Sequence, residues 1–201
     1  MKAGASGCVH ARISRRLILR SCMASAIAAA GIPNIAAAMT SSDGNTRLEL
    51  LDLIKTLNAT EKDVCVSAAS RLDALDSVAS EFDLHLRHAN LDEGDATKIA
   101  VAIRNLSPTH APTVRSFSIS YNPGIGESGA IALINSLPTT VTEIGMVGCG
   151  LTDQSGIALL AWAERAVSLR MLCVEDNNYS AEMRQRIAGL REVRNGLFVV
   201  V

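Results

Sequence analysis

The chain has 201 residues, of which 48% are hydrophobic, 19% charged and 3% aromatic, and its formal net charge is −1. So apolar a composition excludes a disordered chain, and the length allows one domain of about 150 residues with an appendage.

Residues 1–42 contain Lys2, Arg12, Arg15, Arg16 and Arg20 and no Asp or Glu, the charge asymmetry of a targeting segment. Ser21 to Ala38 is alanine-rich, is interrupted by Pro33 and Asn34, and ends in Ala36, Ala37 and Ala38, small residues that a signal peptidase accepts. A membrane span needs about 20 strongly apolar residues, and this run is shorter and milder, so the mature chain is expected to have no stable membrane span. Ser14 to Arg20 resembles a twin-arginine export motif built on Arg15 and Arg16, with Ile18 where Phe is usual and Arg20 where Lys is usual. The expectation is a signal peptide over residues 1–38 and a periplasmic or secreted protein. A mitochondrial transit peptide and a basic N-terminus of no targeting function are the alternatives.

Cleavage after Ala38 removes five of the 19 Lys and Arg, leaving 14 against 20 Asp and Glu and a net charge of about −6. An acidic chain is a poor general binder of nucleic acid, and none is expected as a partner. Cleavage also removes Cys8 and Cys22 and leaves Cys65, Cys149 and Cys173, which cannot all pair; no CxxC occurs.

Residues 39–45 read as a linker, and residues 46–80 as two helices. Leu48, Leu50, Leu51, Ile54 and Leu57 form one stripe between Arg47 and Leu57. Thr60 to Asp63 opens a second helix to about Ala79, with Val64, Ala68, Leu72, Leu75 and Val78 inward. The expected role is a helical cap, with an independent interaction module as the alternative.

From residue 82 onward the chain repeats a grammar: two apolar residues at alternate positions, a polar or small residue that closes the strand, an apolar residue turned inward, and a small residue near a helix start. The copies begin at Leu84, Phe117, Ile144 and Leu172, with periods of 33, 27 and 28 residues. Such a period signals stacked strand–helix units that cannot bury their apolar faces alone. Leu86, Ile119, Met146 and Val174 should then enter one core. The prolines of Asn105 to Thr113 predict an exposed loop, and the apolar tail Gly196 to Val201 predicts an edge strand.

These copies resemble leucine-rich repeats of the ribonuclease-inhibitor type over residues 82–201. The resemblance implies an α/β solenoid with parallel strands on a concave side and helices outside. It also implies an Asn or Cys that closes each strand by capping the backbone between neighbouring repeats, and Asn122, Cys149 and Asn177 fit that role; Ala89 does not.

Three motifs suggest chemistry. Gly124, Gly126 and Gly129 spell GxGxxG, which in a dinucleotide fold frees the backbone to approach a pyrophosphate, with Glu143 in range as a ribose ligand. The preceding strand alternates Phe117 and Ile119 with Ser116, Ser118 and Ser120, however, whereas a central parallel strand is continuously apolar. Gly156 of the next copy has the same place without the motif, so the repeat accounts for the glycines, and no cofactor is expected. Ser128 suggests a nucleophile elbow but lacks its final glycine and a later His, and reads as a helix cap. His85, His88 and Asp92 lack a spacing that converges on a metal, and no metal site or catalytic residue is assigned.

What remains is a binding module. Residues between and after each apolar pair point away from the core, so the concave face should carry His85, Arg87 and His88, then Ser118, Ser120 and Tyr121, then Val147, then Cys173, Glu175 and Asp176. That face grades from basic to acidic and has Tyr121 at its centre. The expectation is a non-catalytic, exported module that recognises a protein partner. The alternatives are a secreted effector acting on a host protein and an exported enzyme of unrecognised chemistry.

Overall fold

The first apolar residues of the four sequence copies lie side by side across one sheet. In the computed structural model, which describes residues 50–76, 79–106 and 112–201, Leu84 pairs with Phe117, Phe117 with Ile144, Ile144 with Leu172, and Leu172 with Val199. The strands are β1 (Glu81–His85), β2 (Thr113–Ser118), β3 (Glu143–Gly145), β4 (Met171–Cys173) and β5 (Phe198–Val200). They are parallel and follow chain order, β1-β2-β3-β4-β5. The tail therefore adds a fifth strand beside β4, as its apolar run predicts.

Parallel neighbours need a crossover, and helices supply it. These are α3 (Glu93–Arg104), α4 (Gly126–Ser136, after a 3₁₀ turn at Pro123–Ile125), α5 (Asp153–Arg165), and α6 (Ala181–Ala188) with the short α7 (Leu190–Val193). Two helices precede the sheet, α1 over residues 50–58 and α2 (Asp63–Asp73). Side chains set three of the starts. Asp92 and Asp95 form a reciprocal capping box on α3, Thr152 caps α5 and Ser180 caps α6.

Burial alternates along β1, with Phe82 and Leu84 inside and Glu81, Asp83 and His85 outside. Leu86, Ile119, Met146 and Val174 continue the inward row and are fully buried in one apolar cluster that also takes in Leu53, Leu57, Cys65 and Leu72 of α1 and α2. Trp162 lies within it and donates its indole N–H to Leu137 O at 2.9 Å. All described residues fall in one compact unit, Asn34–Val201.

Two local expectations change. The second helix stops at Asp73 rather than near Ala79, because the Leu75 N–H turns back to Leu72 O at 3.2 Å, a spacing too tight to continue an α-helix. Leu53, absent from the expected stripe of the first helix, is fully buried. Residues 1–38 with Arg15 and Arg16, the linker 39–45, Leu48, Val78 and the loop residues 107–111 lie outside the described residues. Among the described residues no helix is long and apolar enough to cross a membrane.

Candidate functional site

Where each strand leaves the sheet, the backbone keeps pairing for several residues: Leu86 N–H donates to Ser118 O, His88 N–H to Ser120 O, Tyr121 N–H to Val147 O, and Gly148 N–H to Glu175 O. The chain then turns into the core, and the turn is left-handed at the same register position in four units: His88 (φ 53°), Tyr121 (62°), Gly148 (59°) and Asp176 (58°). Three of the four are not glycine, in a region that side chains enter rarely, and such outliers concentrate at functional sites.

Closing residues hold these turns. Asn122 Nδ2 donates to Leu86 O (2.8 Å) and Ile119 O (2.6 Å), and its Oδ1 accepts from Leu91 N–H (3.1 Å). Asn177 repeats the pattern between β3 and β4, bonding Met146 O, Val174 O and the N–H groups of Cys149 and Leu151. Between them the Cys149 thiol donates to Ile119 O at 3.2 Å and to Val147 O at 3.5 Å. Burial pushes the pKa of that thiol up, with the backbone around Asn122 and Tyr121 opposing the shift, which suits a structural cysteine rather than a nucleophile.

On the outward face the centre is Tyr121. Its ring stacks on His88, with centroids 4.4 Å apart and planes within 8°. The Arg87 guanidinium carbon lies 5.7 Å from the ring centroid, in cation–π range. Gly148 also lies beside the ring, where an added Cβ would be 3.0 Å from Tyr121 Cδ1. Tyr121 is thus fixed yet 37% exposed. His85, Arg87, His88 and Asp176 are exposed as expected, and Cys173 and Glu175 are half-buried.

Ser118, Ser120 and Val147 correct the expected surface, since all three are buried. The serines turn their hydroxyls to each other (3.3 Å), and Ser120 Oγ accepts the Val147 N–H at 3.2 Å. They are short side chains between longer neighbours, so they form the floor of the face and not its contact surface. Cys173 is no exposed thiol either: burial first, then the Glu175 and Glu143 carboxylates, raise its pKa, while Arg87 pulls it down. Glu175 Oε2 is buried without a hydrogen-bond partner.

A chain of hydrogen bonds not foreseen from the sequence crosses β1, β2 and β3. Ser116 Oγ donates to Glu143 Oε2 at 3.0 Å and lies 2.9 Å from His85 Nε2. A hydroxyl has one proton, so His85 is the donor to Ser116. An activated serine needs the reverse order, with the imidazole taking the serine proton and the carboxylate behind the imidazole. The signal available was the common outward placement of Ser116 and Glu143, each just before an inward residue.

The other motifs resolve into packing. An added Cβ at Gly124 would meet Leu91 O at 2.8 Å, and one at Gly129 would meet Ala96 Cβ at 2.9 Å, while Gly126 has φ +63°. The glycines of GxGxxG thus let α4 approach the preceding unit, and Gly156 does the same for α5 against Met183. Ser128 lies inside α4, exposed, and does not cap it; the residue preceding the helix is Ile125, which makes no side-chain bond. His85, His88 and Asp92 serve three separate contacts: the serine chain, the Tyr121 stack and the α3 cap.

No protein-family model matches the chain, and no curated protein matches it.

Proposed function

We propose that this chain is a leucine-rich-repeat solenoid of the ribonuclease-inhibitor type, and that it binds a protein partner through the outward face of its sheet. Two features support the repeat reading. The aligned copies coincide with the strand register, and Asn122, Cys149 and Asn177 bond the backbone of adjacent strands at equivalent turns. In this reading α1 and α2 cap the solenoid beside β1. Residues 1–38 are the twin-arginine signal that sends the protein to the periplasm or outside the cell, and Arg15→Lys with Arg16→Lys would block that export.

The observation that carries the binding reading is the Tyr121 cluster. An exposed tyrosine braced by His88 and Arg87 contributes contact area with little loss of side-chain freedom, the property that makes tyrosines dominate interfaces. The face runs from His85, Arg87 and His88 to Glu175 and Asp176, which orients a partner with a matching dipole.

The test begins with a photocrosslinking residue at the outward face to capture the partner in cells, followed by binding measurements with purified components. Tyr121→Ala combined with Arg87→Glu is expected to abolish binding while leaving Tm nearly unchanged. Retained affinity would move the site to the helical face.

A further inference from the structure

At the β1 end of the outward face lies a shallow open groove of about 320 Å³, lined by Asp63, Val64, Ser67 and Arg71 from α2 and by His85 and Arg87. A second groove adjoins it along β1, sharing Arg71 and His85 and adding Glu81, Asp83 and Arg115. The charges in the two grooves are not equally available. Arg115 is committed to Asp83, with Nη2 2.5 Å from Oδ2. Arg71 and Arg87 form no ion pair among the described residues, and both are exposed. Arg87 is held over the Tyr121 ring and therefore costs less to fix in place than a free arginine.

Resting on the proposed binding face, we infer that this groove receives an acidic segment of the protein partner, with Arg71 and Arg87 each gripping a carboxylate. A planar guanidinium matches a carboxylate with two parallel N–H···O bonds, which a point charge cannot reproduce. The volume lies at the small end of the roughly 300–1,000 Å³ range of ligand clefts and suits one or two side chains rather than a folded surface. Val64 supplies apolar contact for their methylenes.

The surrounding charges narrow the occupant. A continuous polyanion such as nucleic acid would meet Asp63 inside the groove, Glu81 and Asp83 beside it, and Glu175 and Asp176 along the face. Discrete carboxylates avoid them. Residues 1–42 contain five Lys and Arg and no Asp or Glu, so they supply no carboxylate for the two arginines.

Fluorescence anisotropy with labelled oligoglutamate tests this directly, using oligolysine, a phosphoserine peptide and single-stranded DNA as comparison probes. Oligoglutamate should bind, weaken as salt rises from about 0.05 to 0.3 M, and lose about tenfold or more in affinity with Arg71→Glu, at an unchanged Tm. Arg71→Lys should restore part of the loss. Equal binding by Arg71→Glu, absence of binding, or tighter binding of the phosphopeptide or DNA each overturns the groove assignment. With the full partner the two readings separate. Binding lost in Tyr121→Ala but untouched by Arg71→Glu sinks the groove alone, whereas oligoglutamate binding that depends on Arg71 beside partner binding indifferent to Tyr121 sinks the face alone.

Discussion

Asn122 and Asn177 hold equivalent places two strands apart, and each amide donates to two backbone carbonyls on neighbouring strands while its oxygen accepts from the turn beyond. Asn122 is fully buried and Asn177 half-buried, so removing the first leaves Leu86 O and the Leu91 N–H without water to replace the amide, while Ile119 O keeps the Cys149 thiol. Asn122→Ala is expected to lower the free energy of unfolding by about 2 kcal/mol or more, at about 1–3 kcal/mol per stranded group. Asn177→Ala should cost less, since water can reach its partners. Asn122→Asp keeps the acceptor for Leu91 but loses both donors, and should also destabilise. Urea unfolding at constant m-value reads the order, and an Asn122→Ala protein as stable as Asn177→Ala would contradict the burial argument.

Ile119 and Ser118 are adjacent but face opposite ways. Ile119 is fully buried in the helix-covered core, while Ser118 sits in the floor of the outward face with Ser120 as its hydroxyl contact. Ile119→Ala should cost about 2–5 kcal/mol through lost burial and the cavity left behind. Ser118→Ala removes one hydroxyl contact of 3.3 Å and should cost about 1 kcal/mol or less. Thermal melts of the two variants settle the comparison, and equal midpoints would mean the inward row is wrongly assigned.

The inward row was legible because alternation is a local property: Leu84 and Leu86, Phe117 and Ile119, Ile144 and Met146, and Leu172 and Val174 each declare a face without reference to the rest of the chain. The fully buried Asn122 was legible only through a family resemblance, since an isolated asparagine carries no burial signal. Exposure on the opposite face was not legible. Whether Ser118, Ser120 and Val147 meet solvent depends on side chains from strands that the sequence separates by about one repeat, and Val147 is covered despite standing beyond its strand. The left-handed turns at His88, Tyr121 and Asp176 were hidden for a related reason, because none is glycine and the turns are set by tertiary packing between units. The groove between α2 and β1 joins Arg71 to Arg87 through tertiary packing, which periodicity within either element does not encode.

Acid should unfold the protein partly through the Asp92 cap of α3 and the Asp153 contact to Ser180. The Asp95 backbone N–H, helped by Lys62, the Gly94 N–H and Lys98, holds the Asp92 carboxyl below its usual value of 3.8; Ser180 does the same for Asp153. A depressed folded-state pKa contributes stability that is present above the unfolded value and is lost as pH falls through the folded one. Tm should therefore hold through neutral pH and fall below about pH 4. Asp92→Asn keeps a neutral cap and removes one titrating group, so its Tm should lie near the parent's at pH 7 and decline less steeply in acid. Parallel acid limbs for parent and variant would show that Asp92 is not a source of the loss.

Gly148 lies beside the Tyr121 ring, and replacing it tests whether the aromatic cluster is set by packing. Gly148 has φ +59°, and an added Cβ would lie 3.0 Å from Tyr121 Cδ1. His88, Tyr121 and Asp176 occupy the equivalent backbone position with side chains, so the conformation is attainable at a cost of about 1–2 kcal/mol. The ring contact is the additional effect. Gly196 supplies the control, because its φ is +83° and an added Cβ would meet nothing within 4 Å. Gly148→Ala and Gly196→Ala should therefore lose comparable backbone stability, but only Gly148→Ala should shift the Tyr121 and His88 ring-proton resonances as the stack is pushed apart. It should also weaken partner binding more than Gly196→Ala does. If both variants left the ring resonances where the parent has them, Tyr121 would not be braced by Gly148, and its exposure would be that of an ordinary surface side chain.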